Sequence, residues 1–528
     1  MGHLEIFIAA LFVSAAGLNA LANWLRVPYP IPLVIGGLLL GLVPGIPDIR
    51  LNPDLVLLVF LPPLLYASAF FVDLRALRTD ARVISLQAIG LVIATAAVVA
   101  VIAHELIHLP WAVSFVLGAI VSPTDPAAAT AVMRRVGAPR RMVNILEGES
   151  LFNDATALVA YKVAVAAAVG ASFSASHTVL EFVVDAAGGI AIGLAVGFLI
   201  AEVRKRVSDV NTELTISLFS AYGAFVPADK LGVSGVLAAV TAGIYLGFRA
   251  PEIASPESRM QGFAMWSVLT FLLNATLFIL IGLQLPVIVD GLSGQPAGEV
   301  IGYAAAVSAA VISIRFVWNF VLTFLIRAID RRPSQRARRA GWRNRVVGGW
   351  AGMRGAVSLA AALALPVHTH AGAPLPGRSL IQFITFALIL VTVVGQGLTL
   401  PFLIRRLGVV EDGAEEEHEE LRARLVIARA ALDRVDELER EEWTRDATVE
   451  RVRNLYRFRQ RRFKARAGKI EDADGIEESS FAYQRMMHEI YAAQRQELVR
   501  LRNSRDISAD VMRRVEREID LEESRLEV

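Results

Sequence analysis

The chain has 528 residues, 55% of them hydrophobic, and a formal net charge of +2. Its mean hydropathy is +0.50. The apolar residues come in long blocks and the charges in short stretches and the last fifth, which places most of the chain in a membrane and excludes a soluble protein of two or three cores. With no cysteine, disulfides and thiolate metal sites are excluded; the net charge is uninformative, because the charges are segregated by location rather than by sign, and no nucleic-acid partner is expected.

A membrane-crossing helix needs about 20 apolar residues. On that measure about 13 spans lie near 4–25, 30–46, 53–72, 83–107, 111–133, 146–170, 178–202, 210–228, 232–248, 260–288, 298–328, 345–367 and 378–404. The first run has no basic leading segment and no small-residue cleavage pattern, and its first positive charge, Arg26, comes after it. It reads as a retained span with the amino terminus outside. His104 and His108 sit four apart at the end of the fourth span, a weak candidate for metal binding or pH sensing. His368 and His370 read as a solvated loop feature.

Ionisable groups inside spans cost about 2.5–3.5 kcal/mol each on insertion scales, so every one is a functional candidate. In the fifth span, Ser122-Pro123-Thr124-Asp125-Pro126 sets two prolines three residues apart. Each removes a backbone donor and clashes with the preceding turn, so a continuous helix is not expected. Broken backbone at that depth is tolerated only where it is buried in protein or lines a cavity, and here it would gather hard oxygen ligands for a cation. The bland alternative is a kink, with Asp125 capping a half-helix.

The sixth span opens on Glu147-Gly148-Glu149-Ser150-Leu151-Phe152-Asn153-Asp154. Helical spacing puts Ser150 and Asp154 on one face with Asn153 beside them. Two turns on, Lys162 could snorkel or pair with an acid. Arg315, in the eleventh span, is an intramembrane cation in need of an anionic partner. So is Arg354 in the twelfth, within Gly348-Gly349-Trp350-Ala351-Gly352-Met353-Arg354-Gly355. Four glycines there invite unwinding or close approach of another backbone, and Glu149 is the natural counter-ion for one or both arginines.

Loop charge tests the span count. With the amino terminus outside, the inside loops hold Arg26; Arg75, Arg78 and Arg82; the four arginines between Arg134 and Arg141; Arg204, Lys205 and Arg206; Arg249 and Arg259; and a basic loop from Arg327 to Arg345. Outside lie only Arg50, Lys230 and Arg378. This is the positive-inside pattern. After Arg406 the chain turns rich in Glu and Arg, and Leu421, Leu425, Ala428, Leu432, Val435 and Leu438 form one apolar stripe on a charged helix. Further helices are expected through 443–463 and 479–505, with Asp506 or Ser508 capping another. The expected organisation is a transmembrane domain over 1–406 and a helical cytoplasmic tail over 407–528, either a self-packing hairpin or a regulatory module.

The interrupted spans five and twelve are seven apart. An odd offset between two equivalent halves gives inverted repeats, and paired broken helices in inverted repeats point to a secondary transporter's site.

At these residues the chain resembles the monovalent cation:proton antiporter-1 family, the NhaP-type bacterial antiporters and their eukaryotic sodium/proton exchanger relatives. The matching stretches are SPTDP, GESLFNDATALV, FLLNATLFILIGLQL, GMRGAVSLAAAL and VVGQGLTLPFL, in order across 1–406. The resemblance implies an all-α inverted-repeat fold, a homodimer, and a core domain that moves against a dimerisation domain, while the lack of cysteine and of a targeting pattern and the Ala- and Arg-rich usage suggest a bacterial cytoplasmic membrane. It implies exchange of Na+ (or K+ or Li+) for H+, electroneutral because the sixth span carries the Asn153-Asp154 pair. No cofactor is implied, and the transported cation is a substrate. Asp154 would be the ion-carrying carboxylate, with Thr124, Asp125 and Ser150 as neighbouring ligands. Glu149 and Arg354 would form a structural ion pair, with Arg315 a candidate third member. One departure stands out: many relatives carry an acid four residues after the third span's Pro-Pro pair, where this chain has Ala67.

Exchange would follow from cation and proton competing for one carboxylate, if the mobile domain crosses only when that charge is neutralised. Two rivals are weaker. An intramembrane aspartyl protease would use Asp125 and Asp154 as a dyad, but Asp125 lies between prolines and so many spans exceed that need. A channel or sensor gated by the tail would not couple its flux strictly to protons.

Overall fold

The computed structural model describes residues 2–43, 56–170, 175–292, 294–329, 341–411, 413–470 and 475–526. Two compact units emerge, Met1–Glu411 and Asp412–Val528.

The described residues of the first unit form helices joined by loops. Its elements are α1 (Gly2–Leu25), α2 (Pro30–Gly41), α3 (a π turn over Val56–Phe60 continuing as Leu61–Phe70), the short α4 (Leu74–Thr79) and α5 (Ala81–Glu105). There follow α6 (Trp111–Val121), α7 (Pro126–Val136), α8 (Arg140–Val169), α9 (Ala175–Arg204), α10 (Val210–Lys230), α11 (Gly235–Ile253) and α12 (Pro256–Leu283). The unit closes with α13 (Leu285–Asp290), α14 (Ala297–Ile329), α15 (Trp342–Trp350), α16 (Ala356–Leu363) and α17 (Arg378–Leu407). Helices stand at the expected spans. Among the described residues eight are long and apolar enough to cross a membrane, and Ala10–Leu25, Pro30–Gly41 and Leu58–Phe70 are shorter apolar ones. The other expected spans fall on α10, which carries Glu213 and Asp229, and on α15 and α16, each too short to cross alone. The expected stretches 44–46 and 53–55, Arg50 and residues 330–340 of the basic loop lie outside the described residues.

Local chemistry sets the boundaries. Asp209, Ser234 and Ser255 cap α10, α11 and α12 by accepting from Thr212, Leu237 and Ser258 backbone N–H groups at 2.7, 3.2 and 3.2 Å. Gly137, Gly170 and Gly408 close α7, α8 and α17 in the left-handed conformation.

The apolar clusters sort the helices into two groups. One buried cluster joins α5, α6, α14, α16 and α17 through Val99, Val116, Val307, Ala362 and Ile384. A second joins α7, α8, α15 and α17 through Val132, Val143, Val347 and Leu400. The remaining long helices pack on one another: α3 with α9, α10, α11 and α12 around Tyr66, Ala201, Ala221, Leu246 and Trp266, and α1 with α2 and α12 around Leu11, Val34 and Ile279. At α2–α12 the backbones nearly touch, because a β-carbon on Gly37 would overlap the Ile279 carbonyl. The two groups meet where α3 and α11 face α8, at Leu65, Leu151 and Val240, and where α12 faces α16 and α17 at Leu277, Ile279, Leu359 and Phe386.

Among its described residues the second unit has four helices, α18 (Ala414–Leu438), α19 (Asp446–Arg466), α20 (Ile476–Asn503) and α21 (Ala509–Ser524). Leu421, Ala428 and Val435 of the expected stripe are buried. Ser508 caps α21, accepting from Val511 N at 3.3 Å. Arg453 of α19 holds Asp436 and Glu439 at 3.0 and 2.7 Å. Arg495 and His488 of α20 reach Asp520 and Glu523 of α21, at 2.6 and 2.8 Å.

Candidate functional site

Two helices break, and the breaks bond to each other. The chain leaves α6 at Val121 and re-enters helix at Pro126; it leaves α15 at Trp350 and re-enters at Ala356. Between these ends the Asp125 backbone N–H donates to the Met353 carbonyl at 2.9 Å. Pro126 occupies the first position of α7, where its missing donor costs nothing, and Asp125 Oδ1 accepts from Ala127 N at 2.9 Å. Gly355 caps α16, and a β-carbon there would overlap Asp125 Oδ2. The Asp125 carboxylate therefore rests against two helix amino termini, each a partial positive charge.

Buried charge is paired beside the breaks. Glu149, on α8, accepts from Arg315 Nη1 at 2.5 Å and Nη2 at 3.0 Å, and both side chains are almost fully buried. Arg315 Nε donates to the Gly348 carbonyl at 3.1 Å. Thr124 Oγ1 donates to Glu149 at 3.0 Å and accepts from Asn153 Nδ2 at 2.8 Å. The first break is thus tied to α8 by a chain of bonds from Arg315 to Asn153.

Of the two arginines expected beside Glu149, Arg315 forms the ion pair, and among the described residues Arg354 forms none with it. Gly352 makes this geometry available, because a side chain there would collide with Arg315 Cδ. Arg354, carried in the second break, instead donates from Nη1 to the Ser122 carbonyl at 3.0 Å, and its backbone N–H donates to Thr392 Oγ1 at 3.1 Å. It satisfies a carbonyl at the end of α6, where a cation is also favoured by the helix dipole.

A cavity of about 700 Å³ opens between the two helix groups. From one side it is lined by Thr124, Asp125, Ser150, Asp154 and Ser358; from the other by Ala67, Trp266, Ser267, Thr270 and Asn274. Asp154 is 7% exposed, and among the described residues no group donates a hydrogen bond or ion pair to its carboxylate. Asn153 is set behind Thr124 rather than on the cavity wall, with its Oδ1 buried and unbonded. Ala67 stands on the α3 wall where many relatives were expected to carry an acid.

Residues 8–406 match the family described as "Sodium/hydrogen exchanger, transmembrane". The chain belongs to the sodium/hydrogen exchanger family. An uncharacterized Na+/H+ exchanger of Mycobacterium tuberculosis is 38% identical over 524 residues, covering 99% of this chain and 96% of the relative. The Na+/H+ antiporter ApNhaP of Aphanothece halophytica is 33% identical, over 82% of this chain and 80% of its own. The fold is that of the sodium proton antiporter MjNhaP1 from Methanocaldococcus jannaschii, with a TM-score of 0.59 at 19% identity, covering 78% of this chain and all of that one. This exchanger is therefore a multi-pass membrane transporter and not an enzyme.

Several polar residues of the exchanger were not singled out by the sequence reading. Ser267, Thr270 and Asn274 share one face of α12 by helical spacing, and their placement in an otherwise apolar span was the available signal. Arg204, read as a loop cation, is buried on α9 with Glu213 of α10 at 3.8 Å. The clue was Glu213, an acid inside an expected span. Lys162 is exposed and makes no ion pair among the described residues. His104 Nδ1 bonds the Leu109 carbonyl at 2.8 Å and its ring stacks on Trp111. Among the described residues no three His, Asp or Glu side chains converge to hold a metal ion.

Proposed function

We propose that this chain is a secondary active antiporter that exchanges Na+, or K+ or Li+, for H+ by alternating access, one for one. The observation that carries the reading is the state of Asp154. Every other buried acid at the breaks has protein donors: Glu149 has Arg315 and Thr124, and Asp125 has Ala127 N and two helix ends. Among the described acids at the breaks, Asp154 faces the cavity without one. A buried carboxylate needs a compensating charge, and a monovalent cation or a proton can each supply it. Ser150 and Thr124 offer neutral oxygens beside it, hard ligands suited to such cations.

Coupling follows from that competition. The group α5–α8 with α14–α17 carries Asp154, and the cavity separates it from the group built on α1–α3 and α9–α12. Movement of one group against the other with a bare carboxylate carries an uncompensated charge past a facing wall whose lining residues, Ala67 and Leu277 with the neutral Ser267, Thr270 and Asn274, supply no opposite charge. Crossing with the ion or the proton bound avoids that cost. One site neutralised by one charge in either direction moves no net charge, which is electroneutral exchange.

The reading extends to architecture and place. The two cross-bonded breaks mark equivalent points of inverted repeats; residues 1–406 form the transport domain and 407–528 a cytoplasmic tail. The protein lies in the cell membrane as a homodimer with its amino terminus outside, as the loop charge bias favours. Proton flux in proteoliposomes under an imposed pH gradient tests the exchange: wild type should collapse the gradient on addition of a cation and Asp154→Asn should not. Flux that neither saturates nor depends on protons would identify a channel instead.

A further inference from the structure

Ser358 stands in the first turn of α16, the helix that resumes after the second break, and lines the cavity wall. Its Oγ is buried, the residue being 2% exposed, and it has no hydrogen-bond partner. It lines the same cavity as Asp154, Ser150, Thr124 and Asp125.

A buried hydroxyl on a helix normally bonds the carbonyl one turn back. That happens repeatedly in this protein: Thr156 donates to Phe152, Ser220 to Ile216, Thr385 to Ile381 and Thr392 to Leu388, at 2.6–3.0 Å. Ser358 is denied this outlet. Four residues back lies Arg354, within the non-helical stretch 351–355, and Ser358 Oγ makes no hydrogen bond to its carbonyl. Asp125, pressed against Gly355, fixes the start of α16 and with it the position of Ser358 one turn in. Thr95, Ser258 and Ser308 also carry buried, unbonded hydroxyls, but none of them lines this cavity.

We infer that Ser358 Oγ is a direct oxygen ligand of the transported monovalent cation, supplied by the second broken helix to complete a shell begun by Asp154 and Ser150 on α8 and Thr124 at the first break. The inference rests on the exchange reading and deepens it by naming a ligand. The break frees the hydroxyl from its helix, and the cation takes up the lone pair. Because Ala67 contributes no acid from α3, a neutral oxygen from α16 adds coordination without a second charge, consistent with one proton exchanged for one cation. Loss of the ligand weakens cation binding while leaving proton binding at Asp154 in place.

The test measures half-saturating Na+, Li+ and K+ for gradient collapse in proteoliposomes, in wild type, Ser358→Ala, Ser358→Thr, Ser308→Ala and Asp154→Asn. Cation protection against thermal unfolding in detergent gives binding without turnover. Ser358→Ala should raise half-saturation by about tenfold with the maximal rate within about twofold of wild type. Ser358→Thr and Ser308→Ala should stay within about threefold. If Ser358→Ala does not fold, Ser358→Cys, which offers a soft sulfur to a hard cation, should show the same rise. Half-saturation and thermal protection unchanged in the Ala or Cys variant, with Asp154→Asn silent, overturn the role of Ser358 and leave the exchange reading intact. Wild type unresponsive to every cation overturns the exchange reading and this inference with it.

Discussion

Arg315→Ala is the sharpest test of the buried charge network. The guanidinium gives Glu149 two hydrogen bonds, at 2.5 and 3.0 Å, and gives the Gly348 carbonyl a third at 3.1 Å. Its removal leaves Glu149, 1% exposed, with the Thr124 hydroxyl as its remaining donor. Breaking one side of such a pair costs about 3–5 kcal/mol, because the surviving charge stays buried. Glu149→Gln in the same chain removes that charge, and the double variant should recover at least about 2 kcal/mol relative to additivity. Arg354 donates to the Ser122 carbonyl and not to Glu149, so Glu149→Gln should return less than about 0.5 kcal/mol to Arg354→Ala. Unfolding midpoints of the purified singles and doubles in detergent, followed by intrinsic fluorescence, complete both cycles. Rescue of Arg354→Ala by Glu149→Gln, with none for Arg315→Ala, would refute the pairing.

Gly355→Ala drives a β-carbon into Asp125 Oδ2 and should cost about 1–3 kcal/mol and most transport. Gly302→Ala meets nothing within 4 Å on α14 and should be neutral or stabilising by up to about 1 kcal/mol; equal yields of the two variants would contradict the close approach of the breaks. In the tail, hydrogen bonds from Arg495 and His488 hold the Glu523 carboxyl below its ordinary value of 4.5. A carboxyl depressed in the folded state stabilises above its unfolded pKa and loses that contribution as pH falls through the lower folded value. Rate-corrected hydrogen-exchange protection of α21 should therefore fall below about pH 4.5, and Arg495→Gln should flatten the dependence. Protection of wild type that does not change with pH would contradict the Glu523 contacts.

Hydropathy blocks read well because the bilayer allows few solutions: a span must be long, apolar and internally bonded. The breaks were legible for the same reason, since prolines at 123 and 126 and four glycines over 348–355 are hard to place in an intact helix. Asp154 stood out as an acid in an apolar segment. What the chain order does not encode is rotational register between helices. Glu149 had two arginine candidates, and the choice of Arg315 depends on Gly352 letting one side chain pass while Arg354 turns toward the end of α6. The Arg204–Glu213 pair was hidden because Arg204 lies at a helix end, where a snorkelling side chain and a buried one have the same sequence. Ser358 carries no signal by itself, and its unbonded state follows only from where α16 begins.

The central claim is that one carboxylate, Asp154, carries cation and proton in turn. Its most direct measurement is proton flux in proteoliposomes under an imposed pH gradient, with Na+, K+ and Li+ added in turn to wild type and to Asp154→Asn. The account predicts that at least one cation collapses the gradient through wild type, saturably and with no dependence on membrane potential, and that Asp154→Asn is silent to all three. Cation-dependent proton flux surviving in folded, inserted Asp154→Asn would contradict it.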